Sequence, residues 1–501
     1  MPFPEQSQTL TEALLRRAET TPGKVFIRSG RGHFSYQQTW EQAARLASFL
    51  AAQELTADAR ICLLLPRAPE LIFSFLAARL AGCLPAPVNY LDHPERVRQA
   101  VLAVAPAVII VDENAVSGKV TDSLRDCGAA VISLSAEPGD SSFLRWADCL
   151  SCAPLAEPKP QQFDSLAYLN FTSGSTGQAK AALCTEANLY WNTRAAAEAF
   201  QLTAEDVHLC MFAAFAHPHE LFCRALYTGG SLALLPEISP KAVIRVIREQ
   251  NVTCMMGLAA LYKMMAGHCG STALPSLRIA ESGGMFTPPA LHRSFLAAFQ
   301  TPLLAVWGST ETTGIALANT LSCRRADGSL GRVCPHYQAR VADELGRDVP
   351  LGETGELLLA GPGVVSGYWG GVPLSAEDGW CRSGDLVRQD AEGFFHFVER
   401  KSGLIKVAGL KVYPLQVEQA LLEHPGIREA AVVGMEEKRH GCVPKAFVVP
   451  QPGVLLEEEE LTRHCKGRLA AYMVPKAFRL LEALPTTGSG KIDKKALLSA
   501  A

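Results

Sequence analysis

The chain has 501 residues, enough for more than one domain and a large buried core. It is 48% apolar and 19% charged with a formal net charge of −3, an ordinary globular composition that excludes a disordered chain. So small a net charge gives no electrostatic ground for nucleic acid or an anionic membrane as partner.

The opening residues lack a basic stretch followed by an apolar core, so no signal peptide is expected. The fifteen cysteines are odd in number and scattered, which fits reduced thiols in a cytoplasmic protein better than a disulfide framework. Cys149 and Cys152 form one close pair, but no second pair or suitably spaced histidines follow to complete a zinc site.

Taken in order, Thr9-Leu10-Thr11-Glu12 is a capping box that opens a helix with Leu10, Ala13, Leu14 and Ala18 at helical spacing. A strand over 24–29, a helix over 39–52 and a strand over 60–65 follow. The most apolar long stretch, 71–91, is interrupted by Arg79, Pro85 and Pro87, so it reads as a buried helix (70–81) running into a strand and not as a membrane span. Apolar β-branched runs at 107–111 and 129–134 continue the alternation, as do a helix over 186–200, a strand over 231–235, a helix over 240–250 and a strand over 252–257. Strands alternating with helices predict βαβ units and a largely parallel sheet.

The glycine- and valine-rich segment 352–371 reads as β-rich with turns. Arg400-Lys401-Ser402-Gly403 is a polar break. Beyond it lie strands and helices over 412–423, 430–435, 446–449 and 457–469, with the acidic run at 457–460 as a solvated helix start. The expected fold class is α/β. A large N-terminal domain (1–400) holds parallel-type sheets flanked by helices plus a β-rich subdomain, and a small α+β domain (401–501) follows.

One loop stands out. After the apolar run 166–171 come Thr172, Ser173, Gly174, Ser175, Thr176 and Gly177, with Lys180 just beyond. Glycines allow close backbone approach, and hydroxyls, amides and a lysine offer donors to an anion. The composition fits either a phosphate cradle or a Ser/Gly turn between two strands. It is not the GxxxxGK[ST] pattern. Four further clusters share this character: Gly283-Gly284 after an apolar strand, Trp307-Gly308-Ser309-Thr310-Glu311, Ser383-Gly384-Asp385, and Gly488-Ser489-Gly490-Lys491.

In this order and spacing the motifs resemble those of the adenylate-forming superfamily: acyl- and aryl-CoA synthetases, luciferases and the adenylation domains of peptide synthetases. The resemblance runs from about residue 10 to 497 and adds Arg400 and the terminal Pro485-to-Ile492 motif. It implies an ATP-dependent acid–thiol ligase that forms acyl-AMP and passes the acyl group to a thiol, most simply coenzyme A. The phosphopantetheine of a carrier protein is the alternative acceptor, and a catalytically inactive binding module is the alternative of another class.

The resemblance also implies roles. The loop from Thr172 to Lys180 would hold the β- and γ-phosphates, Thr310 would meet the α-phosphate, and Glu311 would help hold Mg²⁺. Gly283, Gly284, Trp307 and Gly308 would flank adenine. Asp385 and Arg400 would hold the ribose, and Lys491 would neutralise developing charge. The C-terminal domain would be mobile, hinged at Ser402, with Gly409 lining the thiol tunnel. Phe215, Ala216, His217, Gly257 and Met285 would form an acyl pocket. Met255, Met256, Leu258 and Phe286 nearby suit a fatty or aryl acid.

The pattern has departures. Ala179 and Ala181 flank Lys180 where proline and glycine are usual, and Ser402 replaces an aspartate or lysine. Ala216 stands where amino-acid-activating members carry an aspartate, which argues against an α-amino acid. Glu220 is expected either to meet a polar group of the acid or to face solvent. Arg224 and Lys406 are candidates to meet the 3′-phosphate of coenzyme A.

Overall fold

The computed structural model describes residues 7–124, 126–136, 143–171, 180–268, 273–374, 376–377, 379–407, 410–437, 441–487 and 492–499. By contacts the chain divides into two compact units, Met1–Ala339 with Leu359–Cys381 and Arg340–Leu358 with Arg382–Ala501.

In the first unit a five-stranded parallel sheet runs in the order Leu84–Pro87, Arg60–Leu64, Val108–Val111, Ala130–Ser133, Leu144–Arg145. A second sheet carries the parallel strands Leu303–Ser309, Ile279–Gly283, Cys254–Leu258, Val207–Cys210, Ser231–Ala233 and Val25–Ser29. Antiparallel strands, Gly314–Ala318 at one end and Gly32–Ser35 at the other, flank it. A smaller antiparallel sheet pairs Leu166–Phe171 with Ala181–Thr185, which in turn pairs with Gly367–Tyr368.

Both faces of the second sheet are covered, as parallel strands require. On one face the helices Pro240–Glu249, Ala259–His268 and Pro289–Phe299 contribute Ile247, Tyr262, Met265 and Phe295 to a core with Met255 and Ala280. On the other, Leu226, Tyr227 and Phe222 pack with Met256 and Cys210. Full burial of one such side chain stabilises by about 1.5–3 kcal/mol.

The capping box at Thr9 is present and opens helix Leu10–Thr20. This helix docks on distant chain: Leu10 N–H donates to Glu186 Oε2 at 2.8 Å, and Arg17 Nε donates to the Leu226 carbonyl at 3.2 Å. Glu186 also pairs with Arg79 at 3.0 Å, both side chains fully buried. Arg79 ends helix Pro69–Leu80, which is buried on all sides. Among the described residues no helix is long and apolar enough to cross a membrane.

The strand expected over 231–235 is shorter, and helices Pro94–Val104, Cys223–Thr228, Ala259–His268 and Pro289–Phe299 had no sequence expectation. Ala259–His268 follows directly on its strand, and the residues around the junction from Leu258 to Tyr262 are all apolar, so periodicity hides it.

The second unit centres on the long hairpin of Ile427–Glu437 with Gly441–Pro450, joined by Ile405–Val407, Leu410–Val412 and Ala477–Leu480. The element expected over 412–423, not assigned as helix or strand, is the helix Pro414–Leu422. Proline suits the first helical position and holds the residue before it, Tyr413, in extended backbone. The helix expected over 457–469 is Glu458–Lys466, with three glutamates in its first turn.

Candidate active site

The parallel strands bring Gly257, Gly283 and Trp307 to one edge of the second sheet. Gly257 lies opposite Ser282, and Ser282 opposite Ala305. This edge is formed by the carboxyl ends of the strands, where open α/β sheets bind ligands. A Cβ on Gly283 would stand 3.0 Å from Val306 Cγ2 and 3.4 Å from Phe212, so the glycine keeps that edge open. Gly284 follows with φ +72°, a left-handed backbone that disfavours side chains.

Strand Leu303–Ser309 then turns back into Gly314–Ala318. Thr313 N–H donates to the Thr310 carbonyl at 3.1 Å, and Thr312 Oγ1 donates to the Gly314 carbonyl at 2.7 Å. Gly308 is crossed so closely that a Cβ would meet the Gly314 carbonyl oxygen at 2.4 Å. Segment 361–369 straps the turn from outside: Val365 N–H donates to the Glu311 carbonyl at 2.9 Å, and Thr313 Oγ1 to the Gly363 carbonyl at 2.8 Å. Thr310 and Glu311 are half-buried.

Tyr368, on the same strap, donates its hydroxyl to Glu311 Oε1 at 2.7 Å. Its ring centroid lies 5.2 Å from Nζ of the exposed Lys180. Burial and the Glu311 carboxylate push the Tyr368 phenol up, so it donates as a neutral hydroxyl. Thr172, Ser173, Gly174, Ser175, Thr176 and Gly177 lie outside the described residues, as do Gly409 and Lys491. Lys180, Gly283, Gly284, Trp307, Gly308, Thr310 and Glu311 are thus the described members of the expected nucleotide site in this unit.

The expected acyl residues divide between the faces of the sheet. His217 is half-buried, with its ring 6.4 Å from Phe212 and 6.1 Å from His219, on the Gly283 side. Phe215 is 8% exposed and meets Tyr90 edge-on at 6.0 Å, and Ala216 N–H bonds the Ala213 carbonyl at 3.0 Å. Gly257 instead faces Leu261, Tyr262 and Met211, and Met285 packs on that same opposite core. Met285 and the open side of Gly257 thus belong to the core of helices Pro240–Glu249, Ala259–His268 and Pro289–Phe299, whereas the ring contacts of His217 are with Phe212 and His219.

Beneath the Gly283 side lies a buried charge cluster. Arg224 Nη1 is 2.7 Å from Glu281 Oε1, and Arg224 Nε is 3.0 Å from Glu220 Oε2. The expectations for two of these residues need correction. Arg224 is 2% exposed and already spans two carboxylates, so it does not await the phosphate of coenzyme A, and Glu220, 5% exposed, does not face solvent. Burial holds the Glu281 carboxyl above its usual range, and the two carboxylates hold Arg224 firmly charged.

In the second unit Asp385 and Arg400 face each other across paired strands. Asp385 is 1% exposed, and its Oδ1 lies 2.6 Å from Arg400 Nε, while most of the Arg400 side chain is open. Ser383 Oγ accepts from Asp385 N–H at 3.0 Å and donates to the Leu357 carbonyl at 2.8 Å, which fixes the carboxylate-bearing stretch of the strand. Ser402 is exposed in the short turn Lys401–Gly403, and Lys406 is exposed on its strand.

Residues 14–369 match the family described as AMP-binding enzyme, and residues 416–491 its C-terminal domain. The chain belongs to the AMP-binding enzyme family. It is 33% identical over 497 residues to the indoleacetate–CoA ligase of Aromatoleum aromaticum, with 97% of this chain and 96% of that one covered. It is 32% identical over 508 residues to a feruloyl-CoA synthase of Amycolatopsis sp, covering 98% of each. Among solved structures it is similar to a benzoate CoA ligase from Burkholderia xenovorans, with a TM-score of 0.86, 27% identity, and 98% of this chain and 100% of that one covered. This AMP-binding enzyme is accordingly an AMP-forming ligase of the acyl- and aryl-CoA type. The α/β fold with a large N-terminal and a small C-terminal domain agrees with the motif resemblance.

Two features escaped the sequence. Tyr368 sat in a stretch read as β-rich with turns, where a Tyr-Trp pair among glycines was the only signal. Glu220 and Arg224, four residues apart, had helical pair spacing, but nothing local pointed to Glu281.

Proposed function

We propose that this ligase activates an aryl-substituted carboxylic acid and transfers it to coenzyme A. A carboxylate oxygen attacks the α-phosphorus of ATP, pyrophosphate leaves, and acyl-AMP forms. The thiol sulfur then attacks the acyl carbon, AMP leaves with the bonding pair, and the thiol proton passes to solvent. The observation that carries this is the convergence of Lys180 and Glu311 on Tyr368, beside Thr310 and at the glycine-lined edge of the sheet. A cation for phosphate and a carboxylate for a metal there suit a nucleoside triphosphate.

The residues fit the roles that the motifs imply. Lys180 and the loop Thr172, Ser173, Gly174, Ser175, Thr176 and Gly177 grip the β- and γ-phosphates, and Thr310 meets the α-phosphate. Gly283, Gly284, Trp307 and Gly308 leave room for adenine. Asp385, an acceptor fixed by Arg400 at 2.6 Å, suits two ribose hydroxyls. Lys491 carries charge to the reacting phosphate. Glu311 is a hard oxygen donor with one oxygen held by Tyr368, which suits Mg²⁺ shared with phosphates and water. When bound, Mg²⁺ polarises the phosphates and neutralises their charge. Division into a 1–400 domain and a mobile 401–501 domain, hinged at Ser402 with Gly409 in the thiol tunnel, separates the two half-reactions. Cytoplasm, where ATP and coenzyme A are at hand, is the matching compartment.

The aryl preference rests on the aromatic pairs Phe212–His217 and Tyr90–Phe215 in the segment of the expected acyl pocket and on the aryl acids in the relatives' names. Pyrophosphate–ATP exchange over aryl, fatty and amino acids tests it. Exchange is expected with aryl acids first, and exchange only with fatty or α-amino acids would sink the aryl assignment. Thioester formation with free coenzyme A against a holo carrier protein decides the acceptor.

A further inference from the structure

We propose that Tyr368 is a positioning residue that aims the Glu311 carboxylate at its divalent cation and seats the Lys180 ammonium beside it. This rests on the roles just assigned to Glu311 and Lys180 and adds a third side chain to them.

The strap holding Tyr368 is fixed at both ends. At one end Val365 N–H and Thr313 Oγ1 tie it to the turn that bears Glu311, through bonds of 2.9 and 2.8 Å. At the other, Tyr368 pairs with Ala182, and Trp369 N–H donates to the Ala181 carbonyl at 2.7 Å. Ala181 directly follows Lys180. Tyr368 is therefore registered against both elements by main-chain bonds before its side chain makes any contact.

That side chain makes two contacts with different chemistry. Its hydroxyl occupies Glu311 Oε1 at 2.7 Å, which fixes the carboxylate rotamer and leaves Oε2 to ligate. Its ring face attracts the Lys180 ammonium at 5.2 Å. The ring thus stands in contact with the ammonium while the hydroxyl of the same side chain engages the carboxylate, and a direct lysine–glutamate pair would mask both charges. No ion pair joins Lys180 to Glu311 among the described residues. The tyrosine keeps a cation for phosphate and an anion for metal adjacent yet unpaired.

Tyr368→Phe and Tyr368→Leu separate the contacts. Mn²⁺ binding to the full-length enzyme with a non-hydrolysable ATP analogue, read by electron paramagnetic resonance, reports the carboxylate. Calorimetric binding of the analogue without metal reports the lysine. Tyr368→Phe is expected to weaken Mn²⁺ about 10-fold with the melting temperature and metal-free analogue binding unchanged. Tyr368→Leu is expected to weaken metal-free analogue binding about threefold as well. If Tyr368→Phe binds Mn²⁺ like wild type while Glu311→Gln loses it, the positioning role is overturned and the role of Glu311 stands. If Glu311→Gln also binds Mn²⁺ normally, both are overturned. A melting temperature that falls with Mn²⁺ affinity intact leaves Tyr368 a purely structural strut, which also overturns the proposal.

Discussion

The guanidinium of Arg224 lies 2.7 Å from the carboxylate of Glu281, with side chains 2% and 0% exposed. Glu220 approaches the same guanidinium at 3.0 Å. Removing the cation leaves two carboxylates in low dielectric, so Arg224→Met is expected to cost about 3–5 kcal/mol. Glu281→Gln keeps an acceptor for Arg224 and should cost less. Urea midpoints of the two variants check this order, and equal midpoints would refute it.

Glu281 also carries a pH signature. Its folded pKa is raised above 4.5 by burial, so in the window between 4.5 and that raised value the folded chain holds a proton that the unfolded chain releases. This stabilisation is fully present below 4.5 and is lost as pH rises through the folded value. The stability of Glu281→Gln should fall less over that rise than wild type, measured as melting temperature against pH.

His208 and His219 act in the opposite sense. Burial pushes each down from 6.5 to about 3, so the unfolded chain binds protons that the folded chain refuses. Their contribution is fully present above 6.5 and is lost as pH falls toward 3. Arg224, Asp206 and Arg278 surround His208, with burial the larger influence. His208→Gln should lose less stability than wild type between pH 6.5 and 4 (about the lower limit of useful melting curves). An unchanged slope would show that His208 is not its source.

Two glycine-to-alanine substitutions should behave oppositely. A Cβ on Gly308 would meet backbone oxygen at 2.4 Å, which no side-chain adjustment relieves, whereas Gly267 lies in a helix with nothing within 4 Å. Gly308→Ala should lower stability and kcat/KM together. Gly267→Ala should raise stability by up to about 1 kcal/mol with activity unchanged. Thermal melts and initial rates on both decide it.

Asp385→Asn should raise KM for ATP about 10-fold or more, because hydrogen bonds to a charged acceptor are the stronger kind. The acid's KM should move little. A matching rise in both would place Asp385 outside the ribose contact.

What was legible in the sequence was local. The Thr9 and Glu12 cap and the apolar period of the early helices depend on residues three or four apart. The motifs carrying Thr310, Glu311, Asp385 and Arg400 were legible because each is a short run of unusual residues. Glu186, Glu281 and Tyr368 were not, because their partners lie 107, 57 and 57 residues away. A glutamate in a sequence looks solvated until the arginine that buries it is known.

The docking of helix Leu10–Thr20 has a consequence for synthesis. Its amide partner on Glu186 is 176 residues downstream, and the Arg17 contact with Leu226 spans 209. At roughly 5–20 residues per second, the Leu10 N–H and Arg17 wait on the order of ten seconds for Glu186 and Leu226 to emerge, whereas helix Tyr36–Ala51, on which Leu10 and Leu14 also pack, follows within seconds. The helix can therefore cover its apolar face early on its neighbour in sequence, while its buried polar anchors close only after residue 226 has been made.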